Sequence, residues 1–296
     1  MKKLLIFLAF TFGLLFQDKL YALELQYHKV YKPEQGMSAE EIMQIKYFVK
    51  YTKFAQDYES TGYVYLIDKS GFTRERIFLR QRILLGRESD GIAYKDIVMF
   101  TGPTAVKGLA TLTWSYIQPH REQQQWLWLP SLKKIRKISA AQAEDSFMGS
   151  DFTIDEITTR RYEDETYQLL KEEEFKGYKS EFNGKVYHKG SDCFVIKAKP
   201  KRNPWYYSRR IVWIDKKTGG DIFHEIYDAK GRLYKTIFKD YEIMNVNGKE
   251  YATQMLLEVK DLRTGHRTVV EMKNIKYDQG LSEELFTEKS LMRSRW

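Results

Sequence analysis

The chain has 296 residues, with 49 Lys and Arg against 40 Asp and Glu, a net charge of +9 and 15% aromatic residues. Its only cysteine, Cys193, excludes an intramolecular disulfide, so the fold depends on an apolar core, for which this length is ample. A basic balance suits nucleic acid, an anionic membrane surface or an acidic partner, and the aromatic content favours a β-rich fold with an aromatic-lined interior.

The first 22 residues have the order of a cleavable export signal. Lys2 and Lys3 form a basic start, residues 4–16 are an apolar run too short to span a bilayer, and Ala22 is a small residue suited to cleavage. We therefore predict a signal peptide at 1–22 and export of the mature chain. Nucleic acid is then not an expected partner, which favours contact with a membrane or a protein.

A capping box at Ser38-Ala39-Glu40-Glu41 predicts the start of a helix. Apolar residues at spacings of three and four continue that helix to about Phe54. From Tyr58 the period changes to two, as expected of half-buried strands. Strands are predicted at 63–67, 72–84, 94–100, 111–116, 126–129, 193–198, 208–215, 222–228, 233–241, 251–260 and 267–277. Many of the turns between them are short and rich in Gly, Asn or Asp, which indicates one continuous antiparallel sheet curled into a barrel or half-barrel.

The most distinctive segment runs from Trp126 to Phe152. It begins with the strand-like run Trp126-Leu127-Trp128-Leu129, which stops at Pro130, and continues with the basic run Lys133-Lys134-Ile135-Arg136-Lys137-Ile138. A polar loop follows that nevertheless carries Phe147-Met148-Gly149-Ser150-Asp151-Phe152. Apolar side chains are unusual in a polar loop, because loops normally lie in water. They therefore plug the core beneath the loop, touch a ligand or face a partner.

This order of residues resembles that of outer-membrane lipoprotein-sorting proteins, relatives of the lipoprotein carriers LolA and LolB. Residues 100–108 with the following Leu112-Thr113-Trp114, and residues 281–287 near the C-terminus, are also similar to that family. The resemblance covers most of the chain from about Ser38 to Met292, although the stretch 176–190 is longer and more polar than it implies. It also implies a strand at 166–175, where the residue types alone allow a helix.

No catalytic or metal-binding pattern stands out. The five histidines, which are not spaced as metal ligands, are His28, His120, His188, His224 and His266. Cys193 begins an apolar strand and is expected to be a small core residue. The carboxylates of 151–156 are suited to binding a cation or to acid–base chemistry, but the favoured expectation is a solvated loop that caps the following turn. We predict that the protein is not an enzyme and has no metal and no cofactor. A hydrolase whose site is assembled from distant residues is the least favoured alternative.

The predicted fold is mainly β with helices (α+β): a curved antiparallel sheet or unclosed β-barrel with a helix packed in its concavity. We expect one LolA-like carrier domain over residues 23–296. Such an interior can hold acyl chains, each buried CH₂ contributing about 0.8 kcal/mol. A filled sandwich core has the same alternation of residues. Composition by itself favours the filled core, and the resemblance to lipoprotein carriers reverses that preference.

Strand phase and the resemblance together predict the residues of a lipid site. The residues expected to line the cavity are Tyr65, Ile67, Leu112, Trp114, Tyr116, Trp126, Trp128, Phe194, Ile196, Ile211 and Trp213. The loop that carries Phe147, Met148 and Phe152 is expected to act as a lid, together with the helix. Basic and aromatic residues expected to contact a membrane or a partner are Lys133, Lys134, Arg136, Lys201, Arg202 and Trp205. Solvated strand ends are the alternative for these basic groups.

The resemblance implies a periplasmic carrier that binds lipid or lipoprotein acyl chains and transfers them towards the outer membrane. We expect it to act as a monomer. Candidate partners are an inner-membrane exporter of the resistance-nodulation-division (RND) class and an outer-membrane acceptor. The alternative function is an accessory periplasmic subunit of such an exporter, which acts by protein–protein contact and binds no lipid.

Overall fold

The computed structural model describes residues 32–51, 55–86, 90–118, 121–138 and 144–293. The predicted signal peptide lies outside these residues, as do the predicted helix end at 52–54 and two of the histidines. Within the described ranges, none of the helices has both the length and the apolar character needed to cross a membrane.

Two α-helices and fifteen strands are present in the described part of the chain. The helices are α1 (Ala39–Tyr51) and α2 (Glu288–Arg293). The strands are β1 (Asp57–Ile67), β2 (Thr73–Leu84), β3 (Ile92–Gly102), β4 (Ala110–Tyr116), β5 (Gln124–Leu129), β6 (Lys134–Ile138), β7 (Glu165–Glu174), β8 (Tyr178–Lys179), β9 (Val186–Tyr187), β10 (Asp192–Pro200), β11 (Arg209–Asp215), β12 (Asp221–Tyr227), β13 (Leu233–Val246), β14 (Lys249–Asp261) and β15 (Arg267–Tyr277).

Thirteen of the strands form one sheet in the order β6-β5-β4-β3-β2-β1-β15-β14-β13-β12-β11-β10-β7, and β8 and β9 form a separate small hairpin. All neighbours in the large sheet are antiparallel. The edge strands β6 and β7 are not paired with each other, so the sheet does not close. The predicted antiparallel, unclosed barrel is therefore confirmed.

Strand β7 confirms the strand implied at 166–175. Its residues have good helix propensity, but all of β7 pairs with β10. Tertiary pairing overrides the local preference here, as it commonly does for a segment whose propensity is only a weak bias.

Helix α1 packs on one face of the sheet, which we call the inner face; the opposite face is the outer face. The predicted capping box is present, because Glu41 N donates to Ser38 Oγ over 3.2 Å and Ser38 N donates to Glu41 Oε2 over 2.8 Å. Ile42 and Met43 are fully buried, in a cluster that includes Phe194 of β10. The helix in the concavity of the sheet is thus confirmed.

The C-terminal segment covers the outer face at strands β3 to β5. Phe286 and Leu291 pack with Leu112, Trp126 and Trp128 in one buried cluster. The indole Nε1 of Trp114 donates to the carbonyl of Phe286 over 3.0 Å. This segment closes the outer face at the β6 side of the sheet.

The hairpin of β8 and β9 covers another part of the outer face. Tyr178 stacks on Phe238 of β13 with ring centroids 4.2 Å apart, and Tyr178 and Ser180 both donate hydrogen bonds to the Glu258 carboxylate on β14. The stretch 176–190, which departs from the family resemblance, therefore shields apolar residues of the central strands from water.

Removing the side chain of Phe286 tests the C-terminal cover. Phe286 is 0% exposed whereas Phe72 is 63% exposed. We expect Phe286→Ala to lower the free energy of unfolding by about 3–5 kcal/mol, because it leaves a cavity among Leu112, Trp126 and Trp128. The matched variant Phe72→Ala should change it by no more than about 0.5 kcal/mol. Urea denaturation followed by tryptophan fluorescence measures both, and equal effects would contradict the packing.

Candidate functional site

A cavity of about 200 Å³ lies between the inner face, helix α1 and the loop 147–157. Much of its wall is apolar and comes from strands β1 to β3 and β13 to β15. The apolar strand residues that line it are Val64, Leu66, Phe78, Val98, Phe100, Ile237, Leu257, Val270 and Met272. Cross-strand pairs such as Val64 with Val270 fix these side chains on the same face.

The eleven residues predicted to line this cavity do not line it. On β4 the alternation is as predicted, but Thr111 and Thr113 face the cavity while Leu112 and Trp114 point to the outer face. The predicted phase is therefore reversed for this strand. Its apolar side faces outward because the C-terminal segment buries it there, a long-range contact that strand alternation does not reveal.

The remaining predicted wall residues lie elsewhere in the fold. Trp126 and Trp128 lie under the C-terminal segment, and Tyr65 and Ile67 lie on the outer face beside the β8–β9 hairpin. Phe194 and Ile196 do face inward, but they are buried with residues of helix α1. Ile211 and Trp213 alternate with the inward Val212 and so face outward, and Tyr116 is buried beneath the guanidinium of Arg121.

The three residues of the predicted lid loop, Phe147, Met148 and Phe152, all line the cavity. The loop closes on itself, because Phe147 N donates to the carbonyl of Phe152 over 2.7 Å. Phe152 is also buried in a cluster with Ile237 and Leu257 of the inner face. The loop therefore plugs part of the core and at the same time forms one wall of the cavity.

Carboxylates within the loop 147–157 tie it to the sheet. Asp151 accepts a hydrogen bond from Thr268 Oγ1 over 2.7 Å, and Glu156 lies 3.0 Å from Lys235 Nζ. Glu156 also forms a capping box with Thr153, as predicted for the turn that follows. The loop is not solvated as expected, because Asp155 and Glu156 are buried in ion pairs. Each carboxylate has its own partner, so this group acts as an anchor for the loop.

An ionic cluster centred on Asp221 joins helix α1 to the inner face. The Asp221 carboxylate lies 3.2 Å from Lys46 Nζ of α1 and 2.7 Å from Lys239 Nζ of β13, and it contacts His224 Nε2 at 2.8 Å. Burial lowers the pKa of Lys46 to about 7, although the charge of Asp221 opposes this shift. Burial also holds the pKa of His224 well below its ordinary value, so the ring is neutral at pH 7 and donates to Asp221.

A second buried pair, Arg210 with Glu165, adjoins this cluster. Both side chains are 0% exposed, and Tyr207 Oη donates to the Glu165 carboxylate over 2.8 Å. Burial by itself would raise the pKa of Glu165, but the charge and hydrogen bonds of Arg210 outweigh it and lower the pKa to about 2. Arg210 also contacts His224 Nδ1 at 3.1 Å. The two ionic groups therefore form one connected network beneath α1.

Strand β2 carries a row of arginines on the inner face. These arginines were not among the predicted site residues. Arg76, Arg80 and Arg82 line the cavity together with Phe78. Asp96 of β3 accepts from Arg80 over 2.9 Å and also pairs with Arg82. The signal was present in the sequence: arginines alternate with other residues along TRERIFLRQR, so they share one face of a strand.

The residues predicted to contact a membrane or partner lie at one end of the sheet. The β5–β6 turn carries Lys133, the connection from β10 to β11 carries Lys201 and Arg202, and antiparallel pairing puts both at the end where the lid loop lies. We call this the lid end. Lys133, Lys134, Arg136, Lys201 and Arg202 are exposed and Trp205 is half-buried.

Exposed apolar side chains are also concentrated at the lid end. Phe72 is 63% exposed in the β1–β2 turn, and Leu132 is 61% exposed in the β5–β6 turn. Leu233 and Leu262 are exposed at the β12–β13 and β14–β15 turns. This end of the molecule therefore combines apolar turn tips with basic residues.

Comparison with known proteins agrees with the resemblance. The model of a family described as "Uncharacterized protein" matches residues 93–293, and the chain belongs to this family. No curated protein matches it. A putative outer membrane lipoprotein-sorting protein domain from Vibrio parahaemolyticus is 25% identical, with a TM-score of 0.71 over 86% of this chain and 98% of that one.

Two further solved structures share the fold. A DUF1329 family protein from Desulfovibrio piger is 25% identical, with a TM-score of 0.71 over 86% of this chain and 97% of that one. A LolA superfamily protein from Nitrosomonas europaea is 18% identical, with a TM-score of 0.57 over 86% of this chain and all of that one (100%). The fold is therefore that of the outer-membrane lipoprotein-sorting and LolA-like proteins, as the resemblance implied.

Substitutions in the Asp221 cluster test how helix α1 is held. We expect Asp221→Asn to lower the free energy of unfolding by about 3–5 kcal/mol, because it leaves buried lysines without a counter-charge. Lys46→Met should cost less than about 1.5 kcal/mol, because the volume is kept and Asp221 retains Lys239 and His224. Urea denaturation distinguishes the two variants, and a Lys46→Met variant as unstable as Asp221→Asn would refute this account.

Proposed function

We propose that this protein is a periplasmic carrier that binds lipid or lipoprotein acyl chains beneath its lid loop and transfers them towards the outer membrane. The observation that carries the proposal is the partly apolar cavity on the inner face of an open sheet, closed by α1 and the loop 147–157. The likeness to a lipoprotein-sorting protein domain supports the same function.

The apolar wall accounts for binding without fixing a single ligand. Each CH₂ removed from water contributes about 0.8 kcal/mol, and such contacts have no strict direction. The cavity of about 200 Å³ is smaller than the roughly 300–1,000 Å³ usual for ligand pockets. A complete acyl chain therefore enters only when the loop 147–157 moves away from the inner face.

Transfer by this route needs no catalytic step. Cys193 is a buried thiol, and burial raises its pKa to about 12, so the nucleophilic thiolate is disfavoured. The carboxylates nearest the cavity, Asp96, Glu156 and Asp221, are held in ion pairs. These groups position the helix and the loop, and the proposed carrier exchanges its cargo by binding and release.

The lid end is the proposed face of contact with membranes. Apolar turn tips insert among lipids while neighbouring Lys and Arg bind anionic headgroups, each worth about 1 kcal/mol near the surface. Phe72 and Leu132 supply the tips, and Lys133 and Arg202 are among the neighbouring cations. Docking at this end would place the lid loop next to the lipid that is to be taken up or delivered.

Cargo can be tested directly on the mature protein purified from its own periplasm. Native mass spectrometry, followed by organic extraction and lipid analysis, should find a lipid or acylated peptide bound in stoichiometric amount. A mass without ligand, together with no uptake from added lipid, would contradict the carrier. It would favour the accessory subunit of an RND-type exporter, for which co-purification with a membrane complex is the corresponding test.

Filling the cavity should block uptake. Val270 of β15 and Val98 of β3 both line it, so Val270→Trp or Val98→Trp should lower lipid uptake about tenfold or more by occupying the space of several methylenes. Val186→Trp is the matched control, because Val186 is 57% exposed on the outer hairpin. Uptake is measured by native mass spectrometry with added lipid, and full uptake by folded Val270→Trp and Val98→Trp would place the ligand elsewhere.

Membrane contact is tested by flotation with vesicles that contain phosphatidylglycerol. We expect the pair Phe72→Ser and Leu132→Ser to reduce vesicle binding several-fold, because two apolar anchors are lost. Ile117→Ser removes an apolar residue that is 44% exposed after β4, at the opposite end of the sheet, and should bind as the wild type does. Binding that is insensitive to the lid-end pair, or that falls equally with the control, would reject this docking face.

A further inference from the structure

Charge compensation is incomplete along the cavity wall. Within the described part of the chain, seven cationic and three acidic side chains line the cavity. Six of the seven cations form ion pairs. Their four partner carboxylates are those of Asp96, Asp155, Glu165 and Asp221. The seventh cation is Arg76 on strand β2. Its position identifies the part of the cavity where a negative ligand group would be accommodated.

The guanidinium of Arg76 has unused hydrogen-bonding capacity. It donates to the carbonyl of Met148 in the lid loop, and it has no carboxylate partner among the described residues. A guanidinium carries five N–H donors in a planar fork, so most of them are free. Burial and the charge of Arg74 lower the pKa of Arg76 below its ordinary value, and a bound anion would offset both effects.

Apolar wall surface lies directly beside this cation. Arg76 is opposite Val64 on β1, and Phe78 follows it on the same face of β2, about 7 Å further along the strand. Val64, Phe78 and Phe100 all line the cavity. A cation at the lid end followed by an apolar wall matches a molecule with an anionic head and an acyl chain.

We propose that Arg76 binds the oxyanion of an anionic amphiphile, a phosphate or carboxylate head attached to an acyl chain that lies along the inner face. This inference rests on the proposed carrier function and names the class of its cargo. A guanidinium fork binds two oxygens of such a head at once. Further along the strand, Arg80 and Arg82 also line the cavity and both pair with Asp96, so the proposal concerns Arg76.

Three ligands with the same palmitoyl chain test the inference on delipidated mature protein: palmitate, monopalmitoyl lysophosphatidic acid and neutral monopalmitoylglycerol. Binding is measured by native mass spectrometry and by displacement of a fluorescent probe. We expect the wild type to bind at least one of the two anionic ligands about ten- to a hundredfold more tightly than the neutral one, as charge-assisted hydrogen bonds predict. The anion that shows the preference identifies the head as carboxylate or phosphate.

Substitution at Arg76 locates the preference. Arg76→Gln should remove it while leaving monopalmitoylglycerol binding unchanged, and Arg76→Lys should retain part of it, because charge is kept without the fork. Arg232→Gln is the control, since Arg232 is 70% exposed in a turn. A preference that persists in Arg76→Gln would overturn the assignment. Arg76-dependent binding of inorganic phosphate as tight as that of the lipids would also overturn it, by identifying a free anion as the ligand.

The same titrations separate this inference from the carrier function. If the wild type binds all three ligands equally, the inference about Arg76 fails and the carrier remains. If it binds none of the acyl ligands, the proposed function itself fails and the inference falls with it. Thermal unfolding of each variant confirms that a loss of binding does not come from loss of fold.

Discussion

Compensation of buried charge across the inner face is the constraint on which the closed arrangement of this protein depends. An ion without a counter-charge in the interior costs several kcal/mol, and helix α1 and the lid loop each supply one member of an ion pair with the sheet. Lys46 of α1 pairs with Asp221, and Glu156 of the loop 147–157 pairs with Lys235. Because these pairs form only when helix and loop lie on the sheet, they define the position of both cavity covers.

The two faces of the sheet have different covers and therefore different chemistry. The outer face is shielded by the C-terminal segment and by the β8–β9 hairpin, which bury aromatic and aliphatic side chains. The inner face combines apolar residues with ionic groups and is covered by α1 and the loop 147–157. These inner covers are held both by apolar packing, as at Ile42 and Phe152, and by ion pairs with the sheet. The cavity lies only on this face, between the sheet and its inner covers.

The lid end brings several features of the proposed carrier together. The loop with Phe147 and Met148, the cation Arg76, the exposed tips such as Phe72 and the basic turns all lie there. The features come from distant parts of the sequence, and antiparallel connectivity places alternate turns at the same end. In the proposed carrier, a cavity whose lid loop adjoins a surface suited to membranes allows cargo to pass between them without crossing bulk water.

The sequence by itself determined the local structure and the family. Period-two alternation predicted most strands of the large sheet, and the Ser38 capping box predicted α1. The segment from Trp126 to Phe152 carried a resemblance that the solved structures support, and this resemblance implied β7; the β8–β9 hairpin was not predicted. Alternation also correctly predicted that Leu112 and Trp114 lie on one face of β4 and Thr111 and Thr113 on the other. It did not reveal which set faces the cavity, because both faces of this sheet are covered and hydrophobicity does not distinguish one cover from the other. Only the tertiary structure decided that the C-terminal segment buries the tryptophans, and that charges paired across distant strands line the cavity.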